Sequence, residues 1–210
     1  MSDRVLTPEK YLSPQEIIRF RRALQVEQEY ARARCIRTPV RDAAVFSTIL
    51  GAGLRVSELV SLKVGHLYLS QGRCEILVEK SKGGKTRMVK IDKSLKSILK
   101  GFLSWKVKNS EITDPGANLF LSRNKKPYST RAVQKRFHFY KDKAGVKKDC
   151  GVHALRHSFA LLLYKASNYN LRLVQKQLGH SSIITTQIYV DVLDIETEKA
   201  VNKMFEEVRA

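Results

Sequence analysis

The spacing of apolar residues changes twice along this chain, and the change restricts the fold more than any other feature of the sequence. Ser13-Pro14-Gln15-Glu16 joins a cap residue to a proline at the first helical position and a glutamate at the third, so a helix is predicted from there towards Arg34. A second helix is predicted over Arg41 to Leu50, stopping near Gly51 and Gly53. A short one follows over Arg55 to Leu62, with Leu59 and Leu62 turned inward. From His66 to Ile91 the pattern becomes extended. Leu67 and Leu69 precede a turn at Gln71-Gly72, Cys74, Ile76 and Val78 alternate, and the turn Ser81-Lys82-Gly83-Gly84-Lys85 leads into Met88 to Ile91.

Helical spacing returns at Leu95, Ile98, Leu99 and Phe102. It appears again at Val133, Phe137, Tyr140 and Ala144, behind a Ser129 cap and ahead of Gly145. Leu119-Phe120-Leu121 is a short apolar element between them. Further helices are expected over the stretch that follows His153, over Leu171 to Leu178, and in a final amphipathic segment with Val201, Met204, Phe205 and Val208. The predicted class is therefore α+β, mainly helical, with a small antiparallel β-sheet. No repeat is visible, and no linker is long enough to separate two domains.

Charge narrows the partner. The 210 residues include 39 Lys plus Arg against 20 Asp plus Glu, a formal charge of +19. Such an excess repels itself unless the molecule works against a polyanion, and nucleic acid is the leading one. No apolar run approaches the roughly 20 residues that a membrane span needs, and no signal-like segment follows Met1, so a cytoplasmic, nucleoid-associated protein is expected. Cys35, Cys74 and Cys150 are too scattered for a disulfide framework or a zinc site and are read as reduced thiols. No GxxxxGK[ST] loop occurs, so ATP is not expected as a cofactor, and arginines able to clamp a phosphate leave no requirement for a metal.

The stretch Gly151-Val152-His153-Ala154-Leu155-Arg156-His157-Ser158-Phe159-Ala160 poses the functional question. Leu155, Phe159, Leu162, Leu163 and Ala166 form an apolar face, and His153 and Arg156 lie one turn apart on the polar one. The leading amides of a helix lack internal partners, so a phosphate is a natural guest at such a start. Three other segments carry groups able to join them: Gly53-Leu54-Arg55-Val56-Ser57-Glu58-Leu59, the turn with Lys82, and the segment from Leu178 to Val190 with His180 and Tyr189.

These segments, in this order, resemble the catalytic domain of the tyrosine recombinases, the phage integrase family, over about Thr38 to Val192. The family pattern has an arginine in a GLR-x-SE-L box, a lysine in a β-turn, an H-x-L-R box, a G-H box and a tyrosine nine residues later; this sequence matches each position. The resemblance implies site-specific cutting and rejoining of DNA through a covalent 3′-phosphotyrosyl intermediate. The chemistry fits the residue types. Arginine forks bind two phosphate oxygens and stay charged, so Arg55 and Arg156 are expected to clamp the phosphate. Tyr189 is the expected nucleophile, and its phenol, with an ordinary pKa of about 10, must lose its proton during attack. Lys82, with Lys85 as runner-up, is expected to protonate the departing 5′-oxygen. His153 would assist proton movement at the nucleophile, His180 would hydrogen-bond the phosphate, and Glu58 would hold Arg55 in place.

His157 reads as a packed supporting group, and Tyr128, Tyr140, Tyr164 and Tyr169 as core or surface aromatics. Lys85, Arg123, Lys125, Lys126, Arg131, Lys135 and Arg136 are expected either to track the DNA backbone or to form an ordinary solvated face. The expected partners are double-stranded DNA with specific recombination sites and further copies of the chain, as a tetramer on DNA. Two other readings compete: supercoil relaxation of the type IB topoisomerase kind, and a non-catalytic DNA-binding module. Most of the family carries a separate core-binding domain ahead of the catalytic one, whereas here only residues 1–37, an N-terminal helix and its flanks, precede the boxes of 38–192. A single catalytic domain over 1–210 is expected, as a natural short recombinase in preference to a piece of a longer protein. Its 193–210 segment would be exchanged between protomers or packed in cis.

Overall fold

The computed structural model describes residues 6–79 and 86–179. Helix α1 (Pro14–Ala33) starts on a complete capping box: the Ser13 hydroxyl accepts from the Glu16 amide at 3.3 Å, and the Glu16 carboxylate accepts from the Ser13 amide at 2.7 Å. Helix α2 (Arg37–Ala52) begins four residues before its predicted start, because Pro39 falls in the first turn, where a missing amide hydrogen costs nothing. It ends at Gly53, whose φ of 66° is the left-handed conformation that a glycine adopts without a Cβ penalty. Helix α3 (Val56–Val60) follows at once, with Leu59 and Leu62 buried as expected.

Strands β1 (Leu67–Tyr68), β2 (Glu75–Val78) and β3 (Arg87–Lys90) form an antiparallel sheet in the order β1-β2-β3, with Ile76 opposite Val89. Ile76, Val78 and Val89 face the core while Met88 is exposed, which is the two-residue period of a half-buried sheet. Helices α4 (Lys93–Lys108), α5 (Thr130–Lys143), α6 (His153–Ala166) and α7 (Leu171–Leu178) complete the described chain. Asp92, Ser129 and Asn170 cap α4, α5 and α7 through their side chains. Leu119-Phe120-Leu121 forms no strand of its own, but Leu121 bridges to Pro127 across a tight reversal.

The main core lies where α1, α2 and α5 meet. Phe20, Phe46, Phe137 and Tyr140 are fully enclosed there, with ring centroids 5.6 to 6.4 Å apart, and Phe20 meets Phe46 edge-on at 86°. Under this cluster the buried carboxylate of Asp42 accepts from Tyr128 at 2.9 Å, from Tyr140 at 3.3 Å and from Arg136 at 2.6 Å. A smaller core of Leu6, Ala160, Leu161, Tyr164, Val174 and Leu178 ties the start of the described chain to α6 and α7. No described helix is long and apolar enough to cross a membrane.

Two expectations about helix faces are corrected. On α6 it is Leu161 that is buried and Leu162 that is exposed, because α7 and Leu6 pack one position round from the predicted stripe. Arg156 is likewise not on a solvent face. It is 5% exposed, held inside the molecule by the groups described next.

Candidate active site

The site is assembled around one carboxylate. Arg55 is the N-cap residue of α3, and Glu58, three residues on, turns back so that its Oε2 accepts from the Arg55 amide at 2.8 Å while Oε1 accepts from the Arg55 guanidinium at 3.1 Å. Arg87, from β3, donates both terminal nitrogens to the same carboxylate, at 2.8 and 3.0 Å. Arg156, from α6, brings its Nη1 to 3.8 Å from Oε2. Three guanidinium groups from three distant segments thus meet on Glu58, whose side chain is only 8% exposed.

Burial by itself pushes the Glu58 carboxyl up. The hydrogen bonds from Arg87 and the Arg55 amide, with the charges of Arg87 and Arg156, outweigh it and pull the pKa down to about 2. The cluster therefore holds three cations and one anion at neutral pH. Arg55, with 37% of its side chain exposed, is the member that opens to solvent.

Arg156 is fixed by backbone as well as by charge. Its guanidinium donates to the carbonyl of Gly53, at the end of α2, and to that of Leu178, at the end of α7, at 3.1 Å. Helix C-terminal carbonyls lack intrahelical donors, so a buried arginine satisfies two helix ends at once. This explains the glycine of the GLR box: a Cβ on Gly53 would meet the Phe159 ring at 2.3 Å, and its positive φ disfavours side chains in any case.

His153 opens α6 and is exposed. Desolvation, then the positive charges of Arg156 and Arg55, lower its pKa, so it stands neutral beside the two cations with a lone pair available. The predicted phosphate-binding amides are modified in one respect: Ala154 and Leu155 donate to the carbonyls of Gly151 and Val152. The anion-attracting charge at this helix start therefore comes chiefly from side chains. His157, one turn inward, has its pKa lowered to about 4 chiefly by burial, and further by the positive neighbours it would have on protonation, as suits a neutral packed group.

Of the residues predicted from sequence, Arg55, Glu58, His153 and Arg156 are brought together, while Lys82, Lys85, His180 and Tyr189 lie outside the described residues. Arg123, Lys125, Lys126, Arg131 and Lys135 are exposed on the Leu121–Pro127 reversal and on α5. Arg136 departs from the expectation of a free backbone contact: it is tied to Asp42 and Tyr140 in the core. Arg87 is absent from the predicted set. Its signal is its phase, since residues 87, 89 and 91 share one face of the strand, where Val89 and Ile91 are buried and a cation needs a partner.

The Phage integrase family profile matches residues 18–196. The tyrosine recombinase XerC of Yersinia pestis is 39% identical over 151 residues, covering 71% of this chain and 47% of that protein. The XerC of Escherichia coli O157:H7 is 40% identical over 150 residues, covering 71% and 48%. The chain thus spans about half the length of the curated relatives it matches. Among solved structures, XerA recombinase superposes with a TM-score of 0.73 at 28% identity, over 95% of this chain and 65% of that one. The XerH site-specific recombinase bound to its difH substrate, in a pre-cleavage complex, superposes with a TM-score of 0.71 at 27% identity, over 90% and 52%. With its GLR and H-x-L-R boxes folded onto one carboxylate and residues 18–196 matched by that profile, this chain belongs to the phage integrase family, the tyrosine recombinases.

Proposed function

We propose that this chain cuts and rejoins DNA strands at specific recombination sites through a 3′-phosphotyrosyl bond at Tyr189, using its own side chains and neither metal nor ATP. The observation that carries this reading is the meeting of Arg55 and Arg156, from boxes 101 residues apart in sequence, on the single carboxylate of Glu58. Two forks aimed from one anchor suit a phosphodiester, whose non-bridging oxygens gain negative charge during attack.

In the proposed step the Tyr189 phenol oxygen attacks phosphorus and gives up its proton, with neutral His153 as the nearby acceptor. The phosphorus–oxygen bond to the 5′-sugar breaks, and Lys82 supplies the proton that leaves a free 5′-hydroxyl; Lys85 is the alternative donor. His180 hydrogen-bonds the phosphate. Attack by a 5′-hydroxyl of another strand reverses the sequence and releases Tyr189, so the bond energy is kept within the DNA.

Double-stranded DNA is the partner. Arg123, Lys125, Lys126, Arg131 and Lys135 follow its backbone, and several copies, as a tetramer, assemble on paired sites in the nucleoid, with residues 193–210 exchanged between neighbours. The difH complex of XerH, at 27% identity, supports the DNA-bound part of this reading.

The test is a nicked suicide duplex, whose short 5′-fragment escapes after cleavage. The parent should form a covalent DNA adduct that Tyr189→Phe does not. Tight binding without an adduct would reduce the protein to a DNA-binding module, and relaxation of supercoils on DNA without paired sites would make it a topoisomerase.

A further inference from the structure

We infer that Arg87 is a positioning residue for strand cleavage: it neutralises Glu58, so that this carboxylate can hold Arg55 and Arg156 in place without cancelling the charge they offer to the phosphate. The inference rests on the proposed strand-cutting function and goes beyond it, because Arg87 belongs to none of the boxes that define the catalytic set.

A carboxylate that anchors two phosphate-binding arginines creates a conflict. It fixes their geometry, but its negative charge repels the phosphate they are meant to bind. Arg87 resolves it. Its two terminal nitrogens take both oxygens of Glu58 at 2.8 and 3.0 Å, a tighter grip than the 3.1 Å side-chain contact of Arg55 or the 3.8 Å approach of Arg156. The Glu58–Arg87 pair is then neutral, and the two remaining guanidinium groups keep their full charge. Arg87 is itself only 12% exposed, whereas Arg55 opens to solvent, so the roles of neutraliser and phosphate ligand fall to different arginines.

A second contact holds Arg87 in this role. Its guanidinium packs on Gly179, the left-handed cap of α7: a Cβ there would stand 2.6 Å from its Cδ and Nε. The Nε is buried without a partner among the described residues, so the arginine's donors are committed to Glu58 at the expense of its own third bond. A lysine has no two-point grip and is no substitute.

The experiment is a charge-rescue series on the full chain: parent, Arg87→Gln, Glu58→Gln and the double variant, each measured for single-turnover cleavage of the nicked suicide duplex and for DNA binding. At saturating DNA, Arg87→Gln should cleave about tenfold to a hundredfold more slowly than the parent, the usual cost of losing a group that orients a reactive one. Adding Glu58→Gln should restore about tenfold of the loss, because the charge Arg87 offset is gone. A merely structural Arg87 would give no rescue, and cleavage by Arg87→Gln within about threefold of the parent would also overturn the inference. If Arg87→Gln alone fails to fold, Glu58→Gln is compared with the double variant: removing Arg87 should then cost less than about threefold, and a further tenfold loss sinks the idea.

A readout without catalysis separates this inference from the proposed function. Inorganic phosphate should raise the thermal midpoint of the parent more than that of Arg87→Gln, and should raise those of Glu58→Gln and the double variant by equal amounts. Arg123→Gln serves as the control for non-specific anion binding. A parent that forms no DNA adduct but shows this difference loses the strand-cutting reading, and with it the cleavage role, and keeps only the neutralisation of Glu58 by Arg87 at an anion-binding site. An equal rise in the parent and Arg87→Gln rejects that role whatever the cleavage result.

Discussion

At the scale of single residues, the site is a problem of buried charge solved by sharing. Arg156 would be costly to enclose alone, yet two helix-end carbonyls and the edge of Glu58 satisfy it, and each of those acceptors needs a donor for its own reasons. The same enclosure keeps His157 neutral, with its pKa lowered from 6.5 to about 4, and Glu58 ionised, with its pKa lowered from 4.5 to about 2. Both shifts have one sign for stability. The unfolded chain binds a proton at His157 below pH 6.5, where the folded chain does not, and at Glu58 below pH 4.5; in each window the unfolded state gains as pH falls. Stability should therefore be fully present above pH 6.5, decline through His157 down to about pH 4, and decline further through Glu58 towards pH 2. Urea midpoints measured across this range check it, and His157→Gln should flatten the upper part of the curve while leaving the lower part.

At the scale of elements, local signals set where helices begin and tertiary packing sets which side they bury. The capping box at Ser13 is legible because both reciprocal bonds are made within four residues. Its loss is measurable: Ser13→Ala should cost about 1 kcal/mol and lower the thermal midpoint by roughly 2–4 °C in a chain of this size. The ion pair of Glu16 with Lys148 at 2.8 Å should survive and hold the helix in register. The face of α6 is less legible. With leucines at 161, 162 and 163 the sequence offers three adjacent candidates, and only the arrival of α7 and Leu6 selects Leu161. Arg136 shows the same effect in a charge run: five cations lie between 125 and 136 on or beside α5, and only the one facing Asp42 is drawn into the core.

At the scale of the whole molecule, a charge of +19 needs an outlet. Part of the positive charge is tied to internal carboxylates at Glu58, Asp42 and Glu111, and part stands exposed on α5 and the preceding reversal. These two populations should separate in a salt titration of duplex binding. Replacing Arg131 and Lys135 with Gln should reduce the slope of log affinity against log salt by about one for each phosphate no longer neutralised. Arg136→Gln should leave that slope nearly unchanged and instead lower the thermal midpoint, because Asp42 would remain buried with only the two tyrosine hydroxyls. Equal effects of all three on the slope would show that Arg136 leaves Asp42 when DNA binds.

Caps, apolar periods and short boxes are written in neighbouring residues, and they were enough to specify the α+β class, the capped start of α1 at Ser13 and the candidates Arg55, Glu58, His153 and Arg156, though not the start of α2, which lies four residues early. Three further facts emerge only from the packed molecule: a third arginine, Arg87, grips Glu58, Arg156 closes the ends of α2 and α7, and Arg136 serves the core. The physical reason is common to all three. A buried charge is governed by its partner, and each of these partners lies between 22 and 103 residues away along the chain, where no local pattern points to it.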